Sequence, residues 1–302
     1  MKFGISIPTW GPMASPEPME ALARRADELG FGFLSVADHI VLPKQVSSRY
    51  PYSETGEYTG DGYFMDQLTV LGFLAAHTSR IRLVTSVMVL PYRNPIHTAK
   101  MLSTIDVLSQ GRLTVGCGVG WMREEFEVLN SPPFEERGVV GDEYIEAFRE
   151  LWTNEEAVYE GKHVKFSDMH FNPKPVQKPY PPIWVGGESA PAMRRAARLG
   201  DGWFPIASNP RHPLATVEQL SAALTRLRRY AEKVDRDPDE IDIAYNSSGL
   251  TDWQTSPEKA AEQIRAFQDL GVRHISSSVG GATLNERTEQ MEQFAAEVMP
   301  LV

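Results

Sequence analysis

The sequence contains only one cysteine, Cys117, among its 302 residues. A single cysteine excludes an internal disulfide and a metal site built from several thiolates. Because disulfides are typical of oxidising compartments, we expect a cytoplasmic protein. The first residues, MKFGISIP, have the alternation of a β-strand and lack the apolar core of a secretory signal peptide, which agrees with that expectation.

Long apolar runs and an excess of positive charge are also missing. A membrane-spanning helix needs about 18 or more apolar residues in a row, and the sequence has no such stretch. Forty acidic residues against 30 basic ones give a formal net charge of −10, which disfavours nucleic acid and acidic membrane surfaces as partners. The scattered histidines do not have the spacing of a metal site, so we predict no metal and a small-molecule substrate.

The sequence does contain a regular alternation of β-branched runs and helical stripes. Eight candidate strands are found in this way: Lys2–Ile7, Phe33–Val36, Ile81–Val89, Arg112–Val119, Ile183–Val185, Gly202–Pro205, Ile241–Asn246 and His274–Val279. Strict strand–helix alternation requires a parallel sheet with right-handed crossovers. Eight such repeats predict an α/β fold, a (β/α)8 TIM barrel that spans residues 1–302 as one domain.

Two segments interrupt this alternation. A polar, aromatic-rich insertion after strand two covers about residues 43–61, and its length predicts a functional loop or lid. Between strands four and five, residues 121–180 are irregular, apart from a helix at Asp142–Trp152 and a hairpin or loop at 158–166. An open doubly wound sheet is the alternative fold, but Phe3–Trp10 lacks the G-x-G-x-x-G pattern that such a sheet places after its first strand.

In a TIM barrel the functional residues follow the carboxyl ends of the strands. Strand five ends in the turn 186–189, GGES, which leads into a helical pattern up to Leu199. Glycines let a ligand approach the backbone, and the free N–H groups at a helix start attract a phosphate or carboxylate. Because no cluster of carboxylates and histidines accompanies this turn, the strand ends favour a cleft for a flat, phosphate-bearing cofactor.

Four motifs, in order along the chain, resemble the luciferase-like flavin and deazaflavin oxidoreductases. They are GVGWMREEFE (Gly118–Glu127), PFEERG (Pro133–Gly138), NPKPVQKPYPPIWVGGES (Asn172–Ser189) and RRAARLGDGWFP (Arg194–Pro205). The resemblance covers nearly the full chain and is strongest to the coenzyme F420-dependent oxidoreductases. It implies a (β/α)8 barrel, the architecture that the alternation also predicts.

The resemblance implies roles for individual residues. Asp38 and His39 would lie against the cofactor ring, and His39 would hydrogen-bond the cofactor or move a substrate proton as a catalytic residue. Ser86 and Val87 match the position of a non-proline cis peptide bond behind the ring. The remaining cofactor-binding positions belong to strand four and to the phosphate-binding turn: Gly118, Val119, Gly186, Gly187, Glu188 and Ser189.

Other residues have less specific roles. Trp10 and Tyr63 are predicted to form walls of the substrate pocket, whereas Cys117 is predicted to face the core. Arg194, Arg195 and Arg198 follow the phosphate-binding turn, where they either meet the acidic oligoglutamate tail of F420 or form a solvated face.

The activity implied is hydride transfer between F420 and a small organic substrate at the carboxyl end of the barrel. A deazaflavin has carbon in place of the reactive flavin nitrogen, so it transfers hydride and does not readily activate oxygen. Two alternatives stay open, an FMN-dependent monooxygenase and a cofactor-binding protein without turnover. Relatives often form dimers, so a homodimer is a further expectation.

Overall fold

Eight parallel strands close into a barrel in the computed structural model, which describes residues 1–60, 62–247, 253–277 and 279–302. The strands in chain order are β1 (Lys2–Ser6), β2 (Phe33–Val36), β3 (Arg82–Thr85), β4 (Met88–Val89), β5 (Leu113–Gly118), β6 (Tyr159–Glu160), β7 (Lys165–Phe166), β8 (Ile183–Gly186), β9 (Gly202–Phe204), β10 (Asp242–Asn246) and β11 (His274–Ser276). Strand β4 follows β3 and pairs with β5, and β6 and β7 form a separate antiparallel hairpin. The pairing of β1 with β11 and of β3 with β5 completes the ring. The predicted (β/α)8 barrel is therefore confirmed.

Helices surround the barrel. They are α1 (Pro16–Leu29), α2 (Gln67–His77), α3 (Pro95–Leu108), α4 (Arg123–Val128), α5 (Arg137–Thr153), α6 (Ala190–Leu199), α7 (Val217–Glu232), α8 (Pro257–Asp269) and α9 (Leu284–Glu297). Short 3-10 helices occur at Leu90–Tyr92, Phe134–Glu136, Pro238–Glu240 and Met299–Leu301. Several helices begin at a capping side chain; Thr216 and Thr283, for example, each form a capping box with the residue three positions later.

The third strand differs from its prediction. The sequence predicts one continuous strand over Ile81–Val89, but the structure has β3 and β4 with a break between them. The peptide bond between Ser86 and Val87 is cis, and it redirects the chain out of the strand ladder at this point. The cis bond implied by the family resemblance is confirmed.

The segment between β5 and β8 also contains more helix than predicted. Helix α4 is absent from the prediction, and α5 begins at Arg137 rather than at Asp142. The hairpin near 158–166 is confirmed as β6 and β7. Residue 61 of the predicted insertion and residue 278 of predicted strand eight lie outside the described part of the chain.

The amino-terminal end of the barrel is closed by side chains. Phe33, Trp184 and Phe204 are buried inside the ring, and both phenylalanines contact Trp184 edge to face. Below them, His274 Nε2 lies 2.8 Å from Asp242 Oδ2. Arg82 donates hydrogen bonds to Thr114 Oγ1 and to Gln177 Oε1. Gln177 lies in the segment before β8. The interior is therefore filled at the amino-terminal end. The carboxyl ends of the strands form the accessible face.

Asp27 on α1 fixes the turn that precedes β3. Its carboxylate accepts hydrogen bonds from the N–H groups of Ser79 (2.7 Å), Arg80 (3.2 Å) and Ile81 (3.0 Å). Burial raises the pKa of Asp27, but these hydrogen bonds outweigh burial, so its pKa lies below the ordinary value. The ionised carboxylate therefore stabilises the fold.

We expect Asp27→Asn to lower the free energy of unfolding by about 2 kcal/mol at pH 7, because one amide cannot accept all of these bonds. A carboxyl group with a lowered folded-state pKa stabilises the protein above its unfolded pKa, and this contribution disappears as the pH falls through the folded pKa. The difference that urea unfolding measures at pH 7 should therefore shrink as the pH is lowered below about 4. Glu28→Gln, an exposed site on the same helix, is the control; an equal loss in both variants would contradict the role of Asp27.

Candidate active site

A buried histidine–glutamate pair lies at the carboxyl end of the barrel. His39 follows β2, and its Nδ1 lies 2.7 Å from Oε2 of Glu125 on α4. The other oxygen, Oε1, accepts hydrogen bonds from the N–H groups of Ile40 (2.8 Å) and Val41 (3.2 Å). An ionised carboxylate can only accept hydrogen bonds, so Nδ1–H of His39 donates to Glu125, and Nε2 is left as the nitrogen available for chemistry.

Glu125 was not predicted from the sequence. It is fully buried, and it lies on the same face of α4 as the buried residues Met122 and Phe126. Its place beside apolar residues in the motif GWMREEFE was the available signal that this carboxylate is buried. A buried carboxylate requires hydrogen-bond partners, which would have indicated a polar contact here.

Asp38, the neighbour of His39, is engaged in a different interaction. Its two carboxylate oxygens accept hydrogen bonds from Arg93 Nη1 and Nη2 at 2.8 and 2.7 Å. Oδ2 also accepts from the N–H of Val89, at 2.8 Å. Asp38 therefore fixes the chain after β4 to the end of β2. Its predicted contact with a cofactor stays a prediction.

The cis segment Ser86–Val87 lies between glycines of two neighbouring strands. A methyl group at Gly118 would lie 2.8 Å from Val87 Cγ2, and one at Gly186 would lie 3.0 Å from Val87 Cγ1. Side chains at these glycines would therefore displace Val87. The structure thus brings the predicted cofactor-binding residues Val87, Gly118 and Gly186 together. Ser86 and Val119 adjoin them in the chain.

The turn between β8 and α6 has the predicted form. Gly187 has a φ of +97°, which favours glycine, and Ser189 caps α6 by accepting from the N–H of Ala192. The side chain of Glu188 accepts hydrogen bonds from the N–H of Ile206 (2.8 Å) and from Asn209 Nδ2 (2.7 Å). Burial raises the pKa of Glu188. Glu188 therefore holds the loop after β9.

The insertion after β2 covers this mouth with aromatic side chains. The ring of His39 has its centroid 5.4 Å from Tyr58, 5.2 Å from Phe64 and 6.4 Å from Trp121. Tyr50 lies 5.1 Å from Trp121 and links the insertion to the loop before α4. We call these five residues, His39 included, the aromatic cluster.

Tyr52 of the insertion is close enough to Glu188, after β8, to be influenced by its charge. Burial raises the pKa of Tyr52, and the charge of Glu188, at the end of β8, adds to this effect. The N–H groups of Ser47 and Ser48 donate to Glu124 Oε1, at 2.7 and 3.0 Å. The insertion is therefore fastened to α4 next to Glu125.

Trp10 and Tyr63 lie on the surface. Their exposed fractions are 54% and 53%, and the Tyr63 hydroxyl lies 3.4 Å from the carbonyl oxygen of Ala14. The rings around His39 belong instead to the aromatic cluster. That Trp10 and Tyr63 contact a substrate stays a prediction. Cys117 is fully buried on β5, and burial raises its pKa to about 12, which agrees with the predicted core role.

Three arginines, Arg123, Arg137 and Arg195, lie on α4, α5 and α6. Arg137, the first residue of α5, stacks on Phe134, with its guanidinium carbon 4.0 Å from the ring centroid. Its Nε is buried and has no hydrogen-bond partner among the described residues. Burial and the charge of Arg123 lower the pKa of Arg137, and Arg195 adds to the effect. An anion beside Arg137 would satisfy Nε and offset the repulsion between these cations.

Two kinds of feature are absent from the described ranges. No group of three or more His, Cys, Asp or Glu side chains in these ranges could hold a metal ion. Within the same ranges, none of the helices combines the length and apolar character needed to cross a bilayer.

The match to known families agrees with this geometry. Residues 1–300 match the family model of the luciferase-like monooxygenases. The chain belongs to this family. The luciferase-like family contains both oxidoreductases and monooxygenases, and the relatives found for this chain represent both classes.

Three luciferase-like relatives have similar lengths. An uncharacterized protein of Mycobacterium tuberculosis is 37% identical, and the match covers 92% of this chain and 93% of the relative. An FMNH(2)-dependent dimethylsulfone monooxygenase of Pseudomonas putida is 31% identical over 78% of each chain. An F420-dependent glucose-6-phosphate dehydrogenase of Intrasporangium calvum is 25% identical over 91% of this chain and 92% of the relative.

Proposed function

We propose that this luciferase-like protein is an oxidoreductase that transfers a hydride between coenzyme F420 and a small organic substrate at the barrel mouth. The observation that carries the proposal is the buried Glu125 carboxylate, which holds Nδ1 of His39 and leaves Nε2 as the other ring nitrogen. A substrate alcohol must lose a proton when it loses a hydride, and a carbonyl compound must gain one. A fixed imidazole at the mouth suits that proton transfer.

The residues at the mouth fit a deazaflavin nucleotide. The Ser86–Val87 segment and the side-chain-free positions Gly118 and Gly186 offer backbone to a flat ring. At the start of α6 the N–H of Ala192 donates to Ser189 and Pro191 has no N–H, so the N–H of Ala190 would be the one that binds a phosphate next to Gly187. Arg137 supplies a buried N–H donor that lacks a protein acceptor. When bound there, F420 would supply the hydride donor or acceptor.

The chain's own residues would then divide the remaining tasks. His39 would exchange a proton with the substrate through Nε2, and the Glu125 carboxylate would stabilise the positive charge that the ring gains. Tyr58, Phe64 and Trp121 would surround the substrate and exclude water from the site. Asp38 would keep His39 in place through its bonds to Arg93 and Val89.

The alternative function is an FMN-dependent monooxygenase. The specific observation in its favour is the 31% identity to the dimethylsulfone monooxygenase, which exceeds the 25% identity to the F420-dependent dehydrogenase. The proton-transfer pair favours F420, because a substrate that exchanges a hydride needs a partner for its proton.

Separate titrations of the purified protein with F420 and with FMN, followed by fluorescence, test the proposal. We expect F420 to bind at least about tenfold more tightly, and Arg137→Ala to weaken both ligands by about tenfold, since both carry a phosphate. Tighter binding of FMN would favour the monooxygenase. Binding of neither compound would contradict the cofactor site itself.

A further inference from the structure

A groove with an excess of positive charge runs along the outer side of α6. Its volume is about 410 Å³, and it lies between the start of α5, α6 and the end of α7. Four cationic side chains line it, against a single carboxylate, Asp142: Arg194, Arg195, Arg198 and Lys233. This local excess is notable because the whole chain has a formal net charge of −10.

The four cations have different roles. Arg195 is buried; its Nε bonds Asp142, and its Nη2 donates to the carbonyl oxygen of Gly138 at 2.8 Å. Arg198 also pairs with Asp142, at 2.6 Å. These two arginines connect α6 to α5 and are structural.

Arg194 and Lys233 are exposed, and neither has a carboxylate within ion-pairing distance in the described ranges. The guanidinium of Arg194 lies over the ring of Tyr230, 5.7 Å from its centroid. The positive charge of the groove is therefore available to a ligand at Arg194 and Lys233.

The groove begins where the proposed phosphate site ends. Pro191, in the first turn of α6, lines the groove and lies two residues after Ser189. On the α5 side the groove is lined by Gly138, the residue that follows Arg137. A chain that continues outward from a phosphate at the turn would therefore enter the groove directly.

The two candidate cofactors differ at this point. FMN ends at its phosphate, whereas F420 continues from its phosphate into a chain of glutamates, each of which adds a carboxylate. We infer that the groove binds the oligoglutamate tail of F420, with Arg194 and Lys233 as the residues that attract it. This inference rests on the proposed function, because it requires F420 at the barrel mouth.

The test measures the affinity of the full-length protein for F420 with no glutamates, with a short tail and with a long tail, and for FMN. At low ionic strength we expect the long tail to improve the dissociation constant by about tenfold, and salt to reduce this gain. Arg194→Glu combined with Lys233→Glu should abolish the gain and leave the affinity for tail-free F420 and FMN within about threefold of wild type. The matched control is Lys2→Glu combined with Lys259→Glu, which makes the same charge change at exposed sites outside the groove.

The outcomes separate the inference from the proposed function. Tight F420 binding without dependence on tail length would overturn the groove assignment and leave the proposed function intact. A tail-dependent gain that survives Arg194→Glu with Lys233→Glu, or that the control variant also loses, would likewise overturn it. Failure of every F420 species to bind would remove the proposed function and the inference with it. Unchanged melting temperatures in both double variants verify that the fold is intact.

Discussion

Replacing His39 by alanine is expected to lower turnover by about 10²–10⁴-fold and to leave the affinity for F420 nearly unchanged. The imidazole is the proton-transfer group in the proposed reaction, and its Nε2 is the ring nitrogen that does not bond Glu125. The assay is the steady-state oxidation or reduction of F420 with a substrate found by screening alcohols and carbonyl compounds. His97→Ala, at an exposed site on α3, is the control. Full turnover in the His39 variant would contradict the catalytic role.

Glu125 acts through His39, so its loss should have a smaller and dependent effect. Glu125→Gln is expected to lower turnover by about 10–100-fold, as is typical when a residue that orients a functional side chain is replaced. Adding this change to the His39 variant should reduce turnover no further, because the two residues act as one unit. Glu127→Gln, an exposed site on the same helix, is the control.

A spectroscopic measurement distinguishes positioning from a structural role of Glu125. Nitrogen-15 NMR reports which ring nitrogen of His39 carries the proton in the neutral form. We expect the proton on Nδ1 in the wild type and a mixture of both tautomers in the Glu125→Gln variant. An unchanged tautomer in a folded Glu125→Gln protein would show that Glu125 does not orient the imidazole.

Replacing Gly116 by alanine is expected to destabilise the barrel by about 4 kcal/mol or more. A methyl group at Gly116 would lie 2.0 Å from the carbonyl oxygen of Thr85, in the neighbouring strand. Thr85 Oγ1 also donates to the carbonyl oxygen of Gly116 at 2.7 Å, so the two strands cannot separate without losing this bond. The clash therefore lies at the point where β3 and β5 close the ring.

Urea unfolding of the Gly116→Ala variant checks this prediction. Gly72→Ala is the matched control, because Gly72 lies in α2 and a methyl group there meets no atom within 4 Å. The control should be stabilised by up to about 1 kcal/mol, since alanine favours a helix more than glycine does. If Gly116→Ala were as stable as the wild type, the close approach of β3 and β5 would be wrong.

The barrel itself could be predicted because its signals are local. Each barrel strand is a short run of apolar or β-branched residues, and most are followed by a helical stripe, as at Ile183–Gly186 before α6. Turn chemistry was also readable, since the glycines and the capping Ser189 have backbone reasons for their positions. Alternation of this kind predicts a parallel sheet before any contact is known.

The other features depend on contacts between distant parts of the chain. Periodicity does not report the isomer of a peptide bond, so the break at Ser86–Val87 was accessible only through family resemblance. The pairing of His39 with Glu125 joins residues 86 positions apart. Helix α5 begins before Gly141, a residue that helix propensity disfavours. Packing requires this glycine, because a methyl group there would lie 2.8 Å from Val119 Cγ1.

The closed amino-terminal end of the barrel has a consequence for the order of events in a reaction. Within the described ranges, Phe33, Trp184 and Phe204 fill the interior, and Arg82, Asp242 and His274 lie below them, so we expect ligands to enter from the mouth beneath the insertion. Under the proposed function two molecules would enter there, and a ring seated on the Ser86–Val87 segment would be the deeper of the two. We therefore expect ordered binding, with the cofactor first and the substrate second.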